Sequence, residues 1–224
     1  MEARERMLEL IQDEARLTAD ETGRSRLSDR VMTAMGEIPR EEFVPAGMTP
    51  WAYDNEPLPI GAGQTISQPF IVALMTDFLD PAPDQRVLEV GTGCGYQAAV
   101  LSHLVAEVYS VEYLAELGND AAERLRRLGR SNVHVRIGDG RRGWPEAAPF
   151  DGIIVTAGAP VVPPALLEQL APGGRLVIPV GEGLWGQELR LVTKDAGGHI
   201  HSRAILPVAF VPLIGADGAG GQKS

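Results

Sequence analysis

The stretch Arg86-Val87-Leu88-Glu89-Val90-Gly91-Thr92-Gly93-Cys94-Gly95-Tyr96 constrains this fold more than any other. Its apolar run is short enough for a strand buried in a parallel sheet. Gly91, Gly93 and Gly95 permit a sharp turn at which backbone amides approach a ligand closely. The following residues, Gln97 to Val105, read as a helix. A strand, a glycine turn and a helix form the opening unit of a nucleotide-binding α/β fold.

The neighbours of this unit narrow the ligand. About twenty residues after Gly91, Glu112 closes the next apolar run, Val108-Tyr109-Ser110-Val111, where a carboxylate can accept both hydroxyls of a ribose. A dinucleotide fingerprint places its third glycine at position 96, but this chain has Tyr96. The residue that would let a helix pack beside a pyrophosphate is missing. An adenosine ligand without phosphates therefore fits better than NAD, and a dehydrogenase is disfavoured.

Composition excludes several other classes. The 224 residues are enough for a full core, with 44% hydrophobic and 22% charged content. A net charge of −10 opposes a broad phosphate-binding face, so no nucleic-acid partner is expected. No apolar run approaches the ~18 residues of a membrane span. The charged N-terminus lacks a signal-peptide core, and Cys94 is the single cysteine. A cytoplasmic monomer is the expectation.

Along the chain, Met7, Leu8, Leu10, Ile11 and Leu17 predict an amphipathic helix from Glu2 to Ala19, and a second helix follows from Ser28 to Met35. From Ile38 to Gly63 prolines and glycines abound and no period persists, which predicts a long loop covering a site. Gln64-Thr65-Ile66-Ser67-Gln68-Pro69 then leads into an apolar helix, Phe70 to Leu79. Ser67 can cap that helix, with Pro69 in its first turn.

Beyond the central unit, a helix with a charged outer face is predicted from Leu114 to Leu128, then strands Val133–Ile137 and Phe150–Thr156. Gly138-Asp139-Gly140 lies at a strand end, where an α/β sheet opens its ligand crevice. Asp139 there can take a hydrogen bond from an adenine amino group or simply form a turn. A helix Pro164–Leu170 and a strand Arg175–Val180 complete the alternation. Strands alone are expected over Glu188–Thr193, Gly198–Leu206 and Val208–Leu213. His199 and His201 share a strand face without a third ligand, so no metal site is expected. Cys94 reads as a small buried filler.

Several separated motifs agree on one family. Asp54-Asn55-Glu56-Pro57-Leu58-Pro59-Ile60-Gly61, Gln64 to Pro69, Gly138-Asp139-Gly140, Ala148-Pro149-Phe150-Asp151, Pro172-Gly173-Gly174-Arg175-Leu176 and Phe210-Val211-Pro212-Leu213 resemble those of protein-L-isoaspartate (D-aspartate) O-methyltransferases. The resemblance runs from about Met7 to Leu213. It implies an α/β, Rossmann-like S-adenosylmethionine-dependent methyltransferase fold. The sheet would be mostly parallel and doubly wound, with N-terminal helices and C-terminal strand additions.

One methyltransferase domain is expected over 1–214: helices and active-site loop over 1–80, cofactor core over 81–180, and substrate-side strands over 181–214. A flexible tail would occupy 215–224.

By the same resemblance, the reaction moves a methyl group from S-adenosyl-L-methionine to the free α-carboxylate of an L-isoaspartyl residue, leaving S-adenosyl-L-homocysteine. The ester then closes to a succinimide, which begins repair. Ser67 matches the family's active-site serine. Gln64, Thr65, Ile66, Ser67, Glu89, Gly91, Gly93, Gly95, Glu112, Asp139, Gly140 and Thr156 are implied at the cofactor. Ile60, Ile66, Ser67, Val211, Pro212 and Leu213 are implied at the substrate, with Val211 to Leu213 offering an exposed strand for main-chain pairing. The rival readings are an aspartate methyltransferase dedicated to one peptide and a noncatalytic adenosyl-ligand binder.

Overall fold

The computed structural model describes residues 2–183 and 186–215. Helix α1 (Ala3–Leu17) starts at a reciprocal Glu2–Glu5 cap and buries Met7, Ile11 and Ala15, four residues apart on one face. Burying a side chain the size of Met7 or Ile11 stabilises by about 1.5–3 kcal/mol. The helix ends two residues short of Ala19 and is followed by a single turn, α2 (Ala19–Thr22), closed by Gly23. Ser28 accepts from the Val31 N–H to start α3 (Asp29–Glu37).

The expected loop from 38 to 63 is ordered. It contains two 3-10 turns, Arg40–Phe43 and Ala46–Trp51, and strand β1 (Leu58–Gly61), paired antiparallel with β2 (Gln64–Ile66). Turns this short leave no 3.6-residue period in the sequence, and they tolerate proline near their starts. Phe43, Ala52 and Leu58 anchor the segment to the core.

Helix α4 (Pro69–Leu79) has Pro69 at its start and is buried almost all round. Ser67 does not cap it: Gln68 holds the N-cap position, and no side chain there bonds the helix. The N–H of Phe70 is instead satisfied by Asn55 Oδ1, 2.9 Å away, from the preceding loop. A helix start needs partners for its free N–H groups, and Asn55 supplies one. That leaves the Ser67 hydroxyl with no capping task.

The main sheet, among the described residues, has seven strands in the order β5-β4-β3-β6-β7-β8-β9. These are β3 (Arg86–Val90), β4 (Glu107–Glu112), β5 (Val133–Ile137), β6 (Phe150–Val155), β7 (Leu170–Glu182), β8 (Gly186–Lys194) and β9 (Ile200–Val208). The first five are parallel, and β8 and β9 add antiparallel. Helices α5 (Tyr96–Ser102), α6 (Ala115–Arg127) and α7 (Pro164–Gln169) make the crossovers. The chain steps outward from β3 to β5, then returns to place β6 on β3's other side. The ends of β3 and β6 are therefore the switch point at which such sheets open a ligand crevice.

The expected strand Val208–Leu213 is not formed. β9 stops at Val208, and the backbone beyond turns inward: the Phe210 N–H donates to Gln187 Oε1 at 2.8 Å, Gly158 N–H to the Val211 carbonyl at 2.8 Å, and Leu213 N–H to the Gly158 carbonyl at 2.8 Å. Pro207 and Pro212 lack the donors a continued ladder needs. Of the expected tail, only Gly215 falls among the described residues, and it is buried. No described helix is long and apolar enough to cross a membrane.

Candidate active site

The glycine turn is held at the switch point by its neighbours. Thr156, just past β6, donates its N–H to the Val90 carbonyl at 2.9 Å and its hydroxyl to the Gly91 carbonyl at 2.6 Å. Gly91 sits at φ 96, and a Cβ there would lie 2.5 Å from Thr156 Oγ1. Only glycine fits that conformation and that space.

Glu112 closes the other side. It is 6% exposed, its Oε2 accepts from the Gly93 N–H at 2.8 Å, and its Oε1 accepts from the Leu114 N–H at 2.9 Å. Each carboxylate oxygen keeps a further acceptor site.

A cleft opens above these groups. It is lined by ten residues implied at the site, Gln64, Thr65, Gly91, Gly93, Glu112, Gly140, Thr156, Val211, Pro212 and Leu213. Val90, Val111, Tyr113, Ala157 and Ile214 complete its lining, and the sequence reading missed all five. Tyr113 was within reach, since it follows the acid that closes β4. Ile214 arrives through an irregular segment that no periodicity marks.

Ser67 lies beside this cleft rather than in it. It lines a cavity under the glycine turn with Ile66, Thr92, Cys94 and Tyr96, and also a groove formed with Glu14, Gln68, Phe70, Leu206, Ala209 and Phe210. Thr65 and Thr156 border all three spaces, so cleft, cavity and groove adjoin at β2.

Four implied residues sit elsewhere. Gly95 packs on Leu125 at the start of α5, where a Cβ would meet Leu125 Cδ1 at 3.2 Å. Ile60 lies over Gly93, its Cδ1 3.3 Å from where a Cβ would be. Asp139 accepts from the Arg141 N–H at 3.0 Å, pairs with the Arg141 guanidinium at 2.8 Å, and lines a neighbouring cavity with Pro160 and Leu213. Glu89 is fully buried below the turn and bonds the Ser110 hydroxyl, which is 2.6 Å from Thr92 Oγ1. Burial pushes its carboxyl up to about 8, against the Ser110 hydrogen bond, so it is neutral at pH 7.

Two further side chains brace the groove. Glu14 of α1 accepts from Asn55 Nδ2 at 2.6 Å and from Gln68 Nε2 at 3.0 Å. Arg40 has no exposed surface. Its Nε donates to the Ala52 carbonyl at 2.9 Å, its Nη2 to the Ser67 carbonyl at 2.8 Å, and its guanidinium lies 4.8 Å from the Tyr96 ring centre.

The cleft suits an uncharged adenosine moiety: one carboxylate with acceptor capacity to spare, hydroxyl and amide groups, apolar walls, and no lysine or arginine among its described lining residues. A pyrophosphate would find no cation there. This sheet order, glycine turn and acidic strand end define an S-adenosyl-L-methionine-dependent methyltransferase.

The model of the protein-L-isoaspartate (D-aspartate) O-methyltransferase family matches residues 12–218. Protein-L-isoaspartate O-methyltransferase 2 of Syntrophobacter fumaroxidans is 57% identical over 213 residues, covering 95% of this chain and 86% of that one. Its counterpart in Polaromonas is 56% identical over 209 residues, covering 93% and 99%. A solved protein-L-isoaspartate O-methyltransferase superposes with a TM-score of 0.82 at 31% identity, and this chain spans 95% of its own length and 66% of that chain. A Plasmodium falciparum structure assigned to the same family, in complex with S-adenosyl-L-homocysteine, gives 0.78 at 26% identity and covers 96% and 99%. The chain belongs to the protein-L-isoaspartate (D-aspartate) O-methyltransferase family.

Proposed function

We propose that this enzyme methylates the free α-carboxylate of L-isoaspartyl residues in proteins and peptides, acting as a monomer. The observation that carries the reading is the junction at β2: Ser67 lines the groove, and the adjacent Thr65 borders both groove and cleft. An acceptor lying in the groove meets the cofactor cleft at that point.

The chemistry asks for positioning rather than for a base. A carboxyl of this kind has a pKa of about 3–4 and is already the nucleophile at neutral pH. S-adenosyl-L-methionine, held by Gly91, Gly93, Glu112 and Gly140, would supply an electrophilic methyl group to the carboxylate oxygen, and the carbon–sulfur bonding pair would pass to its sulfonium sulfur. The protein must align the oxygen with that bond and exclude water around it.

Ser67 donates its hydroxyl hydrogen to one carboxylate oxygen and orients it without neutralising it. Glu112 receives the ribose hydroxyls, its own geometry already set by the Gly93 and Leu114 amides. Gly91 and Gly93 bring backbone close to the amino-acid end. Gly140 borders the adenine, while Asp139 holds the turn that carries Gly140. Val211 to Leu213 are pinned to Gly158 and form one wall, so the acceptor meets their side chains and carbonyls rather than a free strand edge.

The exposed part of segment 38–63, between its buried anchors Arg40, Phe43, Ala52 and Leu58, closes over the loaded site. S-adenosyl-L-homocysteine should slow its cleavage by a nonspecific protease several-fold, and an unchanged cleavage rate would refute closure.

The deciding assay offers labelled S-adenosyl-L-methionine and peptides that differ only in an L-isoaspartyl or L-aspartyl linkage. Labelling of the isoaspartyl form across unrelated flanking sequences is expected. Labelling in a single flanking context would replace this reading with a dedicated peptide substrate.

A further inference from the structure

The acceptor is an anion, yet no described residue lining the groove is positive. Glu14 is the charged side chain among its described lining residues, and it is a carboxylate. Glu112 adds a second carboxylate in the adjoining cleft. Beyond the sulfonium of the bound methyl donor, any counter-charge for an incoming carboxylate has to come from behind the protein surface.

Arg40 has the properties of one. It is wholly buried, and among the described residues no carboxylate lies within ion-pair distance of it. Its contacts are two main-chain carbonyls and the face of Tyr96, and Nη1 has no hydrogen-bond partner. A guanidinium keeps its proton even when buried, and removing it from water without a carboxylate is costly. The carbonyls and the ring offset part of that cost and leave the net charge in place. One of those carbonyls belongs to Ser67, the residue at the acceptor junction. The charge is thus set one peptide behind the hydroxyl, where water does not screen it.

We propose that Arg40 is the positioning residue and fixed counter-charge for the acceptor carboxylate. It holds the Ser67 peptide in place and supplies the positive potential the groove lining lacks. This rests on the acceptor reading above and adds to it a residue that does not touch the acceptor.

The test compares two peptides identical except that one carries the isoaspartyl α-carboxylate and the other its α-carboxamide. Their affinities are measured with S-adenosyl-L-homocysteine bound, in wild type, Arg40→Lys and Arg40→Gln. Wild type should prefer the carboxylate by at least about tenfold, since the charge acts in a low-dielectric setting. Arg40→Gln should lose most of that preference while weakening the carboxamide peptide and S-adenosyl-L-homocysteine far less than the carboxylate peptide. Its KM for the isoaspartyl peptide should rise more than its kcat falls, and Arg40→Lys should restore the preference.

Equal weakening of both peptides in Arg40→Gln, or failure of lysine to rescue, would mean a purely structural brace and overturn the proposal. Wild type gives a further check that needs no variant. A buried charge is little screened, so the preference should persist from 0.1 to about 1 M salt, and its disappearance would place the counter-charge in solvent and refute the role of Arg40. Wild type that methylates no isoaspartyl peptide would instead bring down the functional reading itself.

Discussion

The donor and acceptor halves of the site are built by different means. Around the cleft, the working parts are largely backbone: the Gly91 to Gly95 turn, the amides that fix Glu112, and the Thr156 bonds to β3. They hang on the central strands of a parallel sheet, whose register leaves little to adjust. The groove is assembled from side chains that arrive from α1, from the 57–71 stretch, and from the end of β9 and the residues after it. On the proposed reading, a rigid frame thus serves the cofactor. On the same reading, replaceable side chains serve an acceptor that sits in varied sequence.

If that contrast holds, Gly91→Ala should have the largest effect. The positive φ and the 2.5 Å approach to Thr156 Oγ1 leave no room, so affinity for S-adenosyl-L-homocysteine by calorimetry should fall by roughly 100-fold or more. Ser67→Ala should act on the other half alone: methyl transfer should drop roughly 10- to 100-fold, the worth of one hydrogen bond to a charged group. Cofactor affinity should not change, and a parallel loss of it would break the division between the halves. Glu112→Gln should weaken cofactor binding about tenfold, because an amide cannot accept from both the Gly93 and Leu114 amides and a ribose.

Glu89→Gln sharpens the comparison from below. Folding raises this carboxyl from 4.5 to about 8, so the native protein holds a proton that the unfolded chain releases. The contribution is fully present below about pH 4.5 and is lost as pH rises through about 8. Thermal melts of wild type and Glu89→Gln should therefore nearly coincide at pH 5. The variant should gain relative to wild type toward pH 8, and a gap that does not depend on pH would show that Glu89 is ionised in the fold.

The same two halves differ in how far the sequence announces them. The cleft is legible because its parts follow periodic elements: the turn after β3, the acid ending β4 and the glycine beyond β5 all sit where strand patterns stop. Val133–Ile137 agrees with the structure to the residue. The groove is not legible in this way.

Arg40 follows Pro39 in an aperiodic stretch and looks like any solvated arginine. Its burial depends on Tyr96 and Ala52, which only the fold brings near. Ser67 shows the same limit in reverse. A serine before a proline-led helix reads as a cap, and only the Asn55 bond to Phe70 frees it. Glu89 carries the right residue type in the right motif, but strand alternation turns it into the core rather than toward the cleft.

The pinning of Val211 and Leu213 on Gly158 bears on when the enzyme comes into being. The cleft takes its last wall from residues 211–214, while the groove needs Glu14 from the first helix. During synthesis, the glycine turn, Glu112 and Thr156 leave the ribosome well before that wall exists. A nascent chain can therefore hold the cofactor's floor without being able to enclose an acceptor. Enclosure of the cleft therefore waits until residues 211–214 have left the ribosome and docked on Gly158.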